Sequence, residues 1–149
     1  MKRWVTSDWH LGHHNIIRYC ERPFASIAEM DKTIIDNHNA LVKPEDIVYF
    51  LGDFCFYKNP QDYMAKVNGR FYFIVGNHDK QGYFSGHPYT MSILYARKTV
   101  QMRHDPNFHY RCDVNLCGHV HEKWREQGGL INVGVDVWDF KPVNLDFLV

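Results

Sequence analysis

Phe71-Tyr72-Phe73-Ile74-Val75-Gly76-Asn77-His78-Asp79 sets an apolar run directly against a polar turn. The first five residues are aromatic or β-branched and read as a buried β-strand. The last three carry an amide, an imidazole and a carboxylate, after a glycine that frees the backbone. The same design recurs along the chain. Trp4-Val5-Thr6-Ser7 runs into Asp8-Trp9-His10, and Ile47-Val48-Tyr49-Phe50-Leu51 runs into Gly52-Asp53. Val114-Asn115-Leu116-Cys117 runs into Gly118-His119-Val120-His121, and a lone histidine, His104, follows Thr99–Met102. Each polar cluster therefore falls at the C-terminal end of an expected strand, where α/β folds place their sites.

The intervening segments complete the architecture. Ser26-Ile27-Ala28-Glu29 is a capping box. It starts a helix with Ile27, Met30, Ile34, Ile35 and Leu41 on one face, ended by Lys43-Pro44-Glu45-Asp46. Asn59-Pro60 begins a short helix to Val67, and Asn68-Gly69 supplies a left-handed exit. Met91–Tyr95 and Thr99–Met102 read as a hairpin around Ala96-Arg97-Lys98. Leu130–Val133 is a further strand, and the alternating tail Val143–Leu148 is expected to close a sheet edge. Trp9–Ala25 is expected as a loop overhanging the first cluster. Mixed strands with few helices give one α/β domain over residues 1–149: two β-sheets face to face, with helices outside.

Composition bounds the function. A chain of 149 residues with 45% hydrophobic content can bury a real core. Zero formal net charge and a pI near 7.1 disfavour a nucleic-acid-coating surface. The first strand begins almost at Met1, which leaves no room for a signal peptide. No apolar stretch approaches the ~18 residues needed to span a membrane. Cys20, Cys55, Cys112 and Cys117 show no CxxC spacing and read as reduced thiols. A cytoplasmic protein is expected.

The clusters offer carboxylate, amide and imidazole donors in numbers suited to two divalent metals, the arrangement that attacks phosphate esters. Two ions ~3.5–4 Å apart share a ligand, and a carboxylate such as Asp53 offsets their repulsion. In an extended chain residues i and i+2 point the same way, which would bring Asp8 and His10 to one ion; His119 and His121 share that spacing. Singly, any of these residues reads as a surface or capping group. Gly-Asn-His-Asp is the rarest piece, expected by chance in about one chain of this length per thousand at ~5% per residue type. The ordered set makes coincidence a poor explanation.

With Asp8-x-His10, Gly52-Asp53, Gly76-Asn77-His78-Asp79, His104 and Gly118-His119-x-His121 in this order, the chain resembles the calcineurin-like metallophosphoesterases. His10-Leu11-Gly12-His13, Asn15-Ile16-Ile17, Arg22-Pro23-Phe24 and Asn132-Val133-Gly134-Val135-Asp136-Val137-Trp138 resemble a compact bacterial and phage branch. The resemblance implies a four-layer αββα fold and a phosphoesterase using two divalent ions, from among Mn, Fe, Ni, Co and Zn. Asp8, His10, Asp53 and His121 would hold one ion; Asp53, Asn77, His104 and His119 the other. A hydroxide activated by both would attack phosphorus, His78 would protonate the leaving oxygen, and Asp79 would fix the His78 tautomer.

The remaining candidates carry alternatives. His87 and His109 compete with His104 for its place. His13, three residues past His10, is read as lining the site mouth; His14 as solvent-facing; His38 as a surface or core histidine. Arg18 and Arg22 are either solvated charge or a phosphate clamp. Among Phe54, Phe56, Tyr57, Tyr83, Phe84 and Trp124 a subset is expected to stack on a base, and Trp138 is core or site wall. Trp9 should point away from its neighbours into packing. The segments between motifs leave no space for a cap domain, so a small phosphodiester or nucleotide-like ester is the expected substrate. A nuclease, a protein phosphatase and a non-catalytic metal-binding scaffold are the rivals.

Overall fold

The computed structural model describes residues 1–56, 59–79, 82–107 and 110–149. Expectations for Tyr57 and His109 lie outside them. Two sheets face each other, as the strand pattern predicts. The first has the order β3-β2-β1-β9, built from β1 (Arg3–Thr6), β2 (Ile47–Phe50), β3 (Arg70–Phe73) and β9 (Val143–Asn144). The second has the order β4-β5-β6-β8-β7, from β4 (Thr90–Tyr95), β5 (Lys98–Arg103), β6 (Val114–Cys117), β7 (Glu126–Gln127) and β8 (Leu130–Asn132).

Register explains why the polar clusters meet. In the first sheet β1, β2 and β3 are parallel, with Thr6 opposite Phe50 and Phe50 opposite Phe73. Their C-terminal loops thus leave the sheet side by side. In the second sheet β5 and β6 are parallel with Met102 opposite Leu116, so His104 and Gly118 emerge together, joined by the Gly118 N–H donating to the His104 carbonyl at 3.1 Å. A bridge between Ser7 and Gly134 ties the two sheets at this end.

Two clusters make up most of the core among the described residues. Val5, Tyr49, Leu51, Ile74, Val100, Met102, Leu116 and Val133 fill the space between the sheets. Phe50, Phe54 and Phe73 face the other way, into a layer with Trp9, Ile16, Met30 and Ile34. That layer is closed by helices α1 (His14–Tyr19), α2 (Ile27–Leu41) and α3 (Pro60–Met64). The central strand β2 is buried on both faces, hence its unbroken apolar run. Edge strand β4 alternates exposed and half-buried residues instead.

Local signals act as read, with some shifts. Ser26 Oγ accepts from Glu29 N at 3.1 Å, and Glu29 reaches back to the Ala25 N–H at 2.7 Å. Ala96 (φ 49°) and Arg97 (φ 64°) make a two-residue hairpin turn, closing Tyr95 against Lys98. The expected loop Trp9–Ala25 instead contains α1, too short for periodicity to show. The tail gives only Val143–Asn144 to the sheet edge, antiparallel to β1, before turning into α4 (Leu145–Leu148), where Asn144 caps Asp146 N. Strand β7 has no apolar alternation and escapes sequence reading. The four cysteines are free thiols.

Candidate metal centre

The structure brings Asp8, His10, Asp53, Asn77, His104, His119 and His121 to one place. Their loops are locked to one another. Asp8 N donates to Gly52 O (3.0 Å), His10 N to Asp53 O (3.1 Å) and Leu11 N to Phe54 O (3.1 Å), continuing the β1–β2 ladder past the strands. Two glycines allow this crowding. Gly52 has φ +96°, and a Cβ there would lie 2.6 Å from His104 Nδ1. A Cβ at Gly118 would strike Ser7 Oγ and Asp8 Oδ2.

The reason these side chains converge is not the one that spacing suggests. Asp8 (φ 58°), His10 (φ 51°), Asp53 (φ 59°), His119 (φ 74°) and His121 (φ 50°) all occupy the left-handed region. Neither i, i+2 pair is extended, so alternation does not align them. Each such residue costs about 1–3 kcal/mol, held by the surrounding packing. His119 and His121 also part company: His121 joins Asp8 and His10, whereas His119 joins Asp53 and His104.

The hydrogen bonds show which atoms are spoken for. Asp8 Oδ2 accepts from Ser7 Oγ (2.7 Å) and His119 N (2.9 Å). Asp53 Oδ1 accepts from His78 N at 2.8 Å. The opposite oxygens, Asp8 Oδ1 and Asp53 Oδ2, together with His10 Nε2, are buried with no hydrogen-bond partner among the described residues. They face one another: His10 Nε2 is 3.8 Å from Asp8 Oδ1 and 3.4 Å from Asp53 Oδ2. Asp53 Oδ2 is also 3.3 Å from His104 Nε2. Asn77 Oδ1 lies 2.8 Å from His104 Nε2 and 3.2 Å from His119 Nδ1. Buried polar atoms are rarely left unpaired, and orphaned carboxylate oxygens facing imidazole nitrogens are a donor set for a divalent cation. The residues present fit the metal.

Electrostatics agree. Burial alone would raise the Asp53 carboxyl and lower the His104 imidazole. Instead the hydrogen bonds of His10 and His104 hold Asp53 well below the usual carboxylate range. Asp53 and Asp8 likewise outweigh burial to raise His104 to about 9. For Asp8, burial is overcome by His10, His104 and His121, leaving it at about 2. The site is a sink for positive charge.

Outer partners orient the imidazoles. His104 Nδ1 donates to the Leu51 carbonyl at 2.7 Å, which turns Nε2 inward. His10 Nδ1 meets His13 Nδ1 at 3.2 Å, and the His13 ring stacks on Phe56 at 4.1 Å. His121 Nδ1 meets Asp136 Oδ2 at 3.2 Å. Such second-layer bonds fix tautomer and ring direction.

Two expectations are corrected here, for Arg22 and Asp79. Arg22 is not a phosphate clamp. It is 4% exposed, and its guanidinium donates to both Asp136 oxygens (2.9 and 3.0 Å), to Trp9 O (2.8 Å) and to Asp8 O (2.7 Å). It holds up the floor of the site from beneath. Arg18 lies exposed on α1 with its guanidinium 5.4 Å from the Tyr19 ring. Asp79 does not fix the His78 tautomer: its carboxylate accepts from Asp53 N (2.9 Å), Phe54 N (3.0 Å) and Gly76 N (2.7 Å). It staples the β2 and β3 loops together. The His78 ring takes no hydrogen bond among the described residues and sits exposed, its centroid 5.3 Å from Phe56 and 5.7 Å from His10.

Other candidates are settled by packing. His87 lies against Phe73 and Phe84, away from the cluster that contains His104. His38 is fully buried, its Nε2 donating to Asn68 O at 2.8 Å. Trp9 points into the core beside Phe50 and Phe54. Phe54 and Phe84 are core rather than stacking platforms. Trp138 packs at the edge of the inter-sheet core and donates to Asn132 O at 2.8 Å. Asp136 was not singled out from the sequence, although it stands inside the motif Asn132–Trp138.

A strand-end cluster of this chemistry defines the class of metal-dependent phosphoesterases. Within that class, the chain belongs to the calcineurin-like phosphoesterases, whose family model matches residues 1–108. It is a hydrolase of phosphoric ester bonds, with divalent metal as cofactor. An uncharacterised protein of Methanocaldococcus jannaschii is 37% identical over 162 aligned residues, spanning 99% of this chain and 89% of the relative. The crystal structure of a protein of unknown function from Aquifex aeolicus has a TM-score of 0.78 at 26% identity, over 99% of both chains. The fold is also that of a phosphoesterase of E. coli, at 16% identity and a TM-score of 0.52, covering 90% of this chain and 78% of that one. A Vps29 complexed with zinc from Entamoeba histolytica shares it at 19% identity and a TM-score of 0.55, covering 90% and 74%.

Proposed function

We propose that the protein hydrolyses small phosphodiesters, nucleotide-derived ones included, at a centre built for two divalent ions. One observation carries the two-ion reading. The orphaned Asp53 Oδ2 lies 3.4 Å from His10 Nε2 and 3.3 Å from His104 Nε2, so one oxygen belongs to both histidine groups. Asp8, His10, Asp53 and His121 would hold one ion, drawn from Mn, Fe, Ni, Co and Zn. Asp53, Asn77, His104 and His119 would hold the other. When bound, such ions lower the pKa of a water toward ~7 and offset charge on the phosphoryl oxygens.

The chain's own residues do the rest. His78 is the general acid: its ring is exposed, makes no hydrogen bond among the described residues and lies beside His10, while its backbone N–H anchors Asp53. Donation of its proton to the departing oxygen removes the cost of expelling an alkoxide. Asp79 keeps the His78 turn in place through three backbone N–H groups rather than by touching the ring. Phe56 and His13 wall the side nearest His10.

The test is a rate comparison on bis-p-nitrophenyl phosphate, 2′,3′- and 3′,5′-cyclic nucleotides, single- and double-stranded DNA and a phosphopeptide. Each is assayed with metal and with chelator. Metal-dependent turnover, fastest on a small diester, is expected. Faster turnover of polymeric DNA or phosphopeptide than of every small diester would overturn the substrate assignment. Full activity in stripped protein would overturn the metal assignment.

A further inference from the structure

We propose that the cavity between the β3 loop and the start of β4 is a nucleobase subsite, with Tyr89 as its stacking platform. The inference rests on the phosphoesterase reading above and names the part of the substrate that reading leaves open.

The cavity has a volume of about 370 Å³ and is lined by Val75, Gly76, Asn77, Tyr89, Arg103, His104, Asp105 and His119. Its inner end is therefore the Asn77–His104–His119 group itself. Ligand pockets run from roughly 300 Å³ upward, so the space takes one planar group of a small ester. An ester whose phosphorus lies at the metal centre has this volume within reach of its organic substituent.

Tyr89 is the unusual residue. Its side chain is 74% exposed. It has no hydrogen bond or ring partner among the described residues. Yet its backbone is not loose. The preceding Pro88 carbonyl accepts from Val75 N at 2.9 Å, and the following residue, Thr90, opens β4 in register with Arg103. A large ring is thus held by a hydrogen-bonded frame in the cavity lining, with no described residue resting on it. A second cavity, lined by Asp79, Ser85, Gly86 and His87, lies on the other side and shares Val75 and Tyr89.

The lining also carries both polarities. Arg103 holds its guanidinium 5.6 Å from the Tyr110 ring and donates to Tyr110 Oη at 3.3 Å. Asp105 accepts from Asn107 N through Oδ1 (2.9 Å), and its Oδ2 makes no hydrogen bond among the described residues. A donor and an acceptor side by side match the in-plane edge of a heteroaromatic base. A ring available above matches its face. An alkyl substituent would use neither, and a sugar would use the hydrogen-bonding groups without a flat aromatic face to lay on the ring.

The experiment measures binding rather than turnover. Isothermal titration compares AMP, GMP and CMP with ribose 5-phosphate, on manganese-loaded and on metal-stripped protein. Stacking on one ring is worth roughly five- to a hundredfold. At least one nucleotide should therefore bind about tenfold or more tighter than ribose 5-phosphate. Tyr89→Ala should bring that ratio to within about twofold of unity, and Tyr89→Phe should keep it. A wild-type ratio near one, a ratio that survives Tyr89→Ala, or no measurable binding of any of the compounds overturns the subsite. A large ratio that collapses in Tyr89→Ala, in a protein that hydrolyses no ester, would sustain the subsite and sink the enzymatic reading. Ester hydrolysis with a ratio of one would do the reverse.

Discussion

The two histidine groups of the centre share Asp53 but are built differently. Around Asp8, His10 and His121 nearly everything is buried, and each imidazole has an outer partner: His13 for His10, Asp136 for His121, with Arg22 beneath. Around Asn77, His104 and His119, only His104 is buried and backed, by the Leu51 carbonyl. His119 and Asn77 are exposed and border the 370 Å³ cavity. The difference teaches a division of labour. The first group is a fixed floor assembled during folding. The second is an open face, and on the two-ion proposal an ion held there would exchange more readily.

The largest effect should come from the residue both groups share. Asp53→Asn removes the charge that compensates two cations while leaving Oδ1 able to accept from His78 N. Activity should fall by about 10³-fold or more, and at least one ion should be lost, as read by elemental analysis. Retention of both ions with near-normal turnover would break the comparison at its root, because the groups would then be independent.

Next is His78, which belongs to neither group. His78→Ala should lower turnover by about 10²–10⁴-fold with metal content unchanged. The loss should shrink for nitrophenolate leaving groups, which need no proton. An equal loss on good and poor leaving groups would argue against the acid role. Metal loss would place His78 among the ligands instead.

These assignments show what the sequence could and could not carry. Strand-end placement of Asp8, Asp53, Asn77, His104 and His119 was legible, because apolar runs followed by polar turns encode it locally. So were the α2 capping box and the β4–β5 hairpin. The left-handed backbone at Asp8, His10, Asp53, His119 and His121 was not, since it is imposed by loops locking across the sheet rather than by the residues' own preferences. For the same reason spacing suggested that His119 and His121 share a partner, when the turn between them sends them apart. Arg22 looked like a free cation because its counter-charge, Asp136, lies more than a hundred residues away in sequence. Tyr89 belongs to no motif, and only the cavity beside it draws it out.

A third prediction attacks the floor from behind. His38 packs against Trp9 at 5.1 Å, under the first group, and burial pushes its pKa down to about 4 despite the Asn68 carbonyl. In the unfolded chain it titrates near ~6.5. As pH falls, the unfolded chain therefore takes up the proton first. Stability is intact above pH ~6.5, declines between ~6.5 and ~4, and levels off below, a loss of about 3 kcal/mol from this group. Other titratable groups also contribute to the pH dependence of stability, so the useful quantity is a difference. Chemical denaturation of wild type and His38→Gln at pH 7 and pH 4.5 should show a steeper loss in wild type. Identical slopes would mean that the core beneath Trp9 accommodates the charged ring.

The smallest effect tests the asymmetry itself. Asp136 stands outside the two histidine groups; it meets His121 Nδ1 at 3.2 Å and is itself clamped by Arg22. Asp136→Asn keeps the shape and removes the charge. Loss of such an outer carboxylate typically costs about 10–100-fold in metal affinity. The cost should fall on the first group, because among the described residues Asp136 makes its hydrogen bonds and ion pairs with Arg22 and His121 and not with Asn77, His104 or His119. In wild type, dialysis against graded free-metal buffers should therefore show two steps, the weaker from the open face. In Asp136→Asn the stronger step should move toward the weaker and the two should merge. Thermal melting of the stripped proteins supplies the control, since Arg22 is left with a neutral partner and the fold itself loses stability. If both steps stay where they are, His121 does not depend on Asp136 for its orientation, and the contrast between a fixed floor and an open face loses its physical basis.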